Sequence, residues 1–138
     1  MIKEYLFAYK FSILCLILIW ILCLMPFPEM PDLPDIPLKD KWTHFVMYGG
    51  TCSIIWLEYL LKHRTKRNYL RVLVWAVIAP TMMGGLLEIL QATCTNGNRS
   101  GEFMDFIANA LGVLIGAGIG WFILRRIIKE SCPGIKWQ

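Results

Sequence analysis

A bundle of four membrane-spanning α-helices is the fold class the sequence predicts, and three observations predict it. Hydrophobic residues make up 57% of the 138, and the mean hydropathy is +0.52. The apolar residues come in blocks about 20 long, the length that crosses a hydrocarbon core at about 1.5 Å per residue. The basic residues gather between the blocks on alternate sides, as expected of a multi-pass protein. A chain of this length makes one domain, 1–138.

The first span is expected over 5–25, ended by Pro26 and Pro28. From Phe11 to Phe27 the chain holds 17 uncharged residues, longer than the about 7–15 of a secretory signal, and no A-x-A cleavage pattern follows. An uncleaved helix is therefore expected. The linker 26–39 carries five prolines between Pro26 and Pro37. Proline lacks the backbone donor and fixes φ, so this stretch reads as an extended, stiff external connector.

Asp40 suits the N-cap of the second span, 42–61. Near that span's other end Glu58 stands four residues before Lys62, the spacing of an i,i+4 ion pair, which gives Glu58 a structural role. The third span, 72–91, is interrupted by Pro80 and carries Glu88 near its end. The fourth, 106–124, is free of charge and bears Ala108, Gly112, Gly116 and Gly120 at intervals of four. Such a small-residue stripe lets helix backbones approach closely, within the chain or in a homo-oligomer. Gly84 and Gly85 offer the same on the third helix.

Orientation follows from the basic residues. Lys3, Lys10, Lys62, Arg64, Lys66, Arg67, Arg71, Arg125, Arg126, Lys129 and Lys136 fall on one side; only Lys39, Lys41 and Arg99 of the fourteen fall on the other. Both termini are thus expected in the cytoplasm. The same distribution explains the net charge of +4, so the charge does not point to nucleic acid. The five cysteines, Cys15, Cys23, Cys52, Cys94 and Cys132, show no zinc or disulfide spacing and read as small packing residues. No P-loop, dinucleotide motif or cofactor signature is present. With no charge at the bilayer midplane and no inverted repeat, a transporter fits poorly.

The polar residues at the expected outer face stand apart. Asp40, Lys41, His44 and Tyr48 open the second helix, with Asp40, His44 and Tyr48 on one face. Glu88 and Gln91 close the third, Arg99 lies in the following loop, and Asp105 and Asn109 open the fourth. Ionisable groups at membrane depth are costly and need a reason. One reason is an ion pair that fixes helix register. Another is an anionic headgroup held by Lys41 and Arg99 on its phosphate. A third is His44 acting as acid or base beside Asp40 or Asp105. A metal is not expected: it needs several ligands, His44 is the one histidine on this side, and a mixed His44–Glu88–Asp105 set is only weakly signalled.

The ordered set Asp40-Lys41-x-x-His44-Phe45-x-x-Tyr48, Glu88-x-x-Gln91, Arg99, Asp105-x-x-x-Asn109-x-x-Gly112-x-x-x-Gly116 resembles the VanZ-like family of small bacterial membrane proteins. It spans 39–124, most of the chain. The resemblance implies a multi-helix protein of a bacterial cytoplasmic membrane acting near cell-envelope material. The family's namesake is an accessory protein of glycopeptide resistance, associated with teicoplanin tolerance. The resemblance implies no reaction and no catalytic residue.

The expected function is recognition of an anionic envelope lipid or lipid-linked precursor by the outer polar residues. Lys41 and Arg99 would contact phosphate and Asp40, Glu88 and Asp105 would hold them, while His44, Tyr48, Gln91 and Asn109 would meet the headgroup. Two other classes stay open: an enzyme using His44 on a lipid-linked phosphate or ester, and a structural or partner-binding protein docking through the glycine stripe.

Overall fold

In the computed structural model the described residues are 2–25, 39–63, 68–94 and 102–124, with Arg126, Ile127 and Glu130. Among them the regular structure is all helical: α1 (Ile2–Ala8), α2 (Lys10–Leu24), α3 (Lys39–Lys62), α4 (Tyr69–Cys94) and α5 (Phe103–Leu124). The proline-rich connector from Pro26, Arg99 and Cys132 lie outside the described residues.

The expected first span over 5–25 is not one straight helix. It breaks at Tyr9, where α1 and α2 meet at 74°. A break exposes the unpaired N–H groups of the following helix, and Glu58 of α3 accepts them. Phe11 N–H donates to Oε1 and Ser12 N–H to Oε2, each at 3.0 Å, and the Ser12 hydroxyl donates to Oε2 as well. A carboxylate at a helix N-terminus also complements the helix dipole. This replaces the expected Glu58–Lys62 pair. The Lys62 ammonium instead lies 3.3 Å from the centroid of the Tyr5 ring and 5.2 Å from that of Tyr9, a cation–π contact that fastens the bent N-terminus to α3.

α3 has 24 residues and begins at Lys39, so Asp40 sits in its first turn rather than capping it. It is the central helix: Tyr48, Cys52, Ile55, Trp56, Tyr59 and Leu60 are all buried, and it packs most extensively on α5. α4 widens at Val74–Ile78, where the Ala79 N–H reaches back five residues to the Val74 carbonyl. Pro80 follows at once. A proline removes one N–H and crowds the carbonyl four residues earlier, and a widened turn relieves both. α5 starts at Phe103, three residues ahead of the expected boundary.

The glycine stripe is consumed within the chain. A Cβ on Gly112 would overlap the carbonyl oxygen of Phe45, one on Gly116 that of Gly49, and one on Gly120 the indole of Trp56. In return a Cβ on Gly49 would stand 2.9 Å from the Gly112 carbonyl oxygen. α3 and α5 thus meet backbone to backbone, and the stripe faces α3 rather than a second copy. Cys23 and Cys52 are buried as packing residues, whereas Cys15 is half-buried and Cys94 exposed.

The surface is apolar and part of the interior is polar. Trp75, Met82 and Phe122 are 64%, 69% and 73% exposed, while Asp105 and Asn109 are 1% and 0%. Water would select the reverse. α4 and α5 are each long and apolar enough to cross a membrane, and the bent α1–α2 pair adds a third crossing if it is one broken span. Alone, the 15 residues of α2 reach about 22 Å, short of a hydrocarbon core of about 30 Å. α3 has the length, and its polar ends keep it less apolar than the helices around it.

Candidate functional site

The start of α3, the end of α4 and the start of α5 meet at one end of the bundle, where Asp40, Lys41, His44, Glu88, Asp105 and Asn109 converge. His44 is buried, with Nδ1 3.1 Å from Asn109 Oδ1 and 3.8 Å from Glu88 Oε1. Asn109 in turn donates from Nδ2 to Glu88 Oε1 at 3.2 Å. That bond fixes the amide, because a carboxylate oxygen accepts and the NH2 group donates. Asn109 Oδ1 is therefore the acceptor facing the imidazole, and His44 Nδ1 must carry the proton. Nε2 is left to receive a proton or a ligand.

Glu88 uses its second oxygen on the chain entering α5, accepting from the Glu102 N–H at 3.3 Å. Lys41 bridges to the same segment: its ammonium is 2.8 Å from Glu102 Oε2 and 3.2 Å from Asp105 Oδ1. Lys41 lies ahead of the apolar stretch that begins at Trp42. Its contact with Glu102, and then that with Asp105, holds the ammonium pKa above the usual lysine value. Asp105 Oδ1 is buried and makes no hydrogen bond, so Lys41 meets it as an ion pair outside hydrogen-bond geometry. Asp40, His44 and Asp105 can each offer one donor atom, all within 4.8 Å of one another.

Two expected members are placed differently. Gln91 donates from Nε2 to the Cys23 carbonyl at 2.8 Å, so it ties α4 to α2 and is spent on structure. Tyr48 is fully buried, and its hydroxyl has no hydrogen-bond partner among the described residues. Gly84 makes room for this arrangement: a Cβ there would stand 3.1 Å from Asn109 Nδ2 and 3.2 Å from the Tyr48 ring. Arg99 lies outside the described residues.

Sequence reasoning did not single out Glu102, which takes the shorter of the two Lys41 contacts. Its signal was its place three residues before Asp105, one turn away. Nor did it find the cavity of about 420 Å³ at the opposite end of the bundle. Ile13, Leu16, Ile55 and Val72 wall it, and Tyr9, His63 and Arg71 line it as well. These residues come from α2, α3, α4 and the positions flanking them, so no local pattern announces them.

In comparisons with known proteins, no family model, no curated protein and no solved structure matches this chain.

Proposed function

We propose that this chain is a four-span protein of a bacterial cytoplasmic membrane, VanZ-like, that recognises an anionic envelope lipid or lipid-linked precursor at its outer face. The observation that carries the reading is the convergence of Lys41, His44, Glu88, Asp105 and Asn109 from three helices at one end. A pair of opposite charges would suffice to set helix register. This network goes further, fixing one imidazole tautomer and leaving an ammonium at the rim. Lys41 is 23% exposed at its side chain. With one N–H given to Glu102 and Asp105 met only as an ion pair, the ammonium keeps donors for a phosphate oxygen. Arg99 is assigned to the same phosphate. Asp40 and His44 are assigned to hydroxyls or amides of the headgroup, while Glu88, Asn109 and Gln91 hold the helices.

Native mass spectrometry of gently extracted protein tests this. A bound envelope lipid is expected with the natural sequence and lost in Asp105→Asn and Arg99→Gln, each checked for folding. Equal lipid in all three, or none, would return the cluster to helix register. The free Nε2 of His44 favours a second reading, acid–base turnover of the same lipid. It would be recognised by a released headgroup whose formation disappears in His44→Gln.

The four-span topology, with both termini in the cytoplasm, is supported by the basic residues and puts Cys94 outside. A membrane-impermeant maleimide added to intact cells is expected to label the natural protein and not Cys94→Ser. Labelling that appears only after permeabilisation would invert the orientation.

A further inference from the structure

We infer that Asp40, His44 and Asp105 form a binding site for a divalent first-row cation, Zn2+ or Mn2+. Three observations support it. The first is geometric. Asp40 and His44 are one turn apart on α3, Asp105 comes from the first turn of α5, and their donor atoms lie within 4.8 Å of one another. Metal–ligand distances of about 2.0–2.2 Å put donor atoms about 3–4 Å apart. Side-chain rotation alone closes that difference.

The second is the state of the histidine. A ligating imidazole almost always donates its other N–H to an acceptor that fixes the ring. His44 has that support on both counts, with Nδ1–H directed to Asn109 Oδ1 and Asn109 itself held by Glu88. Nε2 is then the nitrogen we assign to the cation. Glu88, a sequence candidate for direct ligation, occupies the supporting position instead.

The third is Asp105. Its side chain is 2% exposed, and Oδ1 accepts no hydrogen bond. Its contact there is the Lys41 ammonium, which lies closer to Glu102. A buried carboxylate held by half of one ammonium is poorly compensated. An arriving dication would take Asp105 and leave Lys41 to Glu102, 2.8 Å away. Asp40 is exposed at the end of the helix and provides the way in. One imidazole nitrogen with two carboxylates suits borderline ions better than Mg2+ or Ca2+, which favour all-oxygen shells.

The site does not depend on lipid recognition, because the ion alone is the probe. The full chain, purified in detergent without a histidine tag and stripped by chelator, is titrated with MnCl2 or ZnCl2. One saturable site per chain is expected. Pulsed electron paramagnetic resonance of the Mn2+ complex should show nitrogen coupling from one imidazole. His44→Gln should abolish that coupling, and Asp105→Asn should weaken binding at least about tenfold, a typical minimum even for outer-shell losses. His63→Gln, at the far end of α3, should leave both unchanged. Absence of saturable binding to the natural protein would overturn the site. So would Mn2+ bound without nitrogen coupling, which needs no variant to fold, or coupling that survives His44→Gln.

Discussion

Leucine in place of Gly112 is expected to leave the protein largely unfolded or aggregated on extraction, the largest single-site effect in the molecule. Side chains that overfill a core cost about 1–3 kcal/mol when their neighbours can shift. At Gly112 the neighbours are the Phe45 carbonyl and the backbone of Gly49, which cannot shift without parting α3 from α5. The cost therefore sits at or above the top of that range. Gly50 is the internal control. It follows Gly49 on α3, and a Cβ there meets nothing within 4 Å. Gly50→Ala should be neutral or stabilising, by up to about 1 kcal/mol, since alanine is the better helix former. Thermal unfolding in detergent separates the two. If Gly112→Leu kept its midpoint and changed only the oligomeric state, the stripe would belong to an interface between copies.

The contrast shows what a sequence of this kind carries. Four apolar blocks and a stripe of glycines are visible because lipid imposes length and close packing imposes period. Most of α4 and α5 follows from those two rules, but the widened stretches at Val74–Ile78 and Ile119–Leu124 do not. The break at Tyr9 does not follow from them. Nothing local ends a helix in Glu4-Tyr-Leu-Phe-Ala-Tyr-Lys10; the acceptor that stabilises the break is Glu58, 46 residues from Ser12. The polar cluster was legible as a set because helix ends at equal depth share a plane. Its pairing was not. That Lys41 divides itself between Glu102 and Asp105, that Gln91 turns to Cys23, and that Asn109 orients His44 all depend on helix rotation, which periodicity leaves free by tens of degrees.

Glu58→Leu is the second large effect expected, and it separates a structural carboxylate from those of the polar cluster. The natural residue accepts from the backbone of Phe11 and of Ser12 and from the Ser12 hydroxyl. Leucine would orphan all three donors in a site where Ser12 is 5% and Glu58 7% exposed. One orphaned buried donor costs about 1–3 kcal/mol, so the loss should reach at least that range in thermal unfolding. Ser12→Ala removes only the hydroxyl, leaves both backbone donors paired, and should cost about 1 kcal/mol. Glu58→Gln keeps one acceptor oxygen and should fall between the two. Because the hydroxyl bond is already absent once Glu58 is gone, the double variant Glu58→Leu with Ser12→Ala should lose less than the sum of the single ones. Full additivity would mean the two side chains do not meet, and a Glu58→Leu protein as stable as the natural one would remove the cap altogether. Glu58 spends its acceptors on backbone, which a ligand cannot displace without undoing α2. Lys41 and His44 spend their N–H donors on other side chains at a helix end, where a ligand can take a partner's place by side-chain rotation. On that difference the proposed binding role falls to the cluster at the start of α3, and not to the buried glutamate.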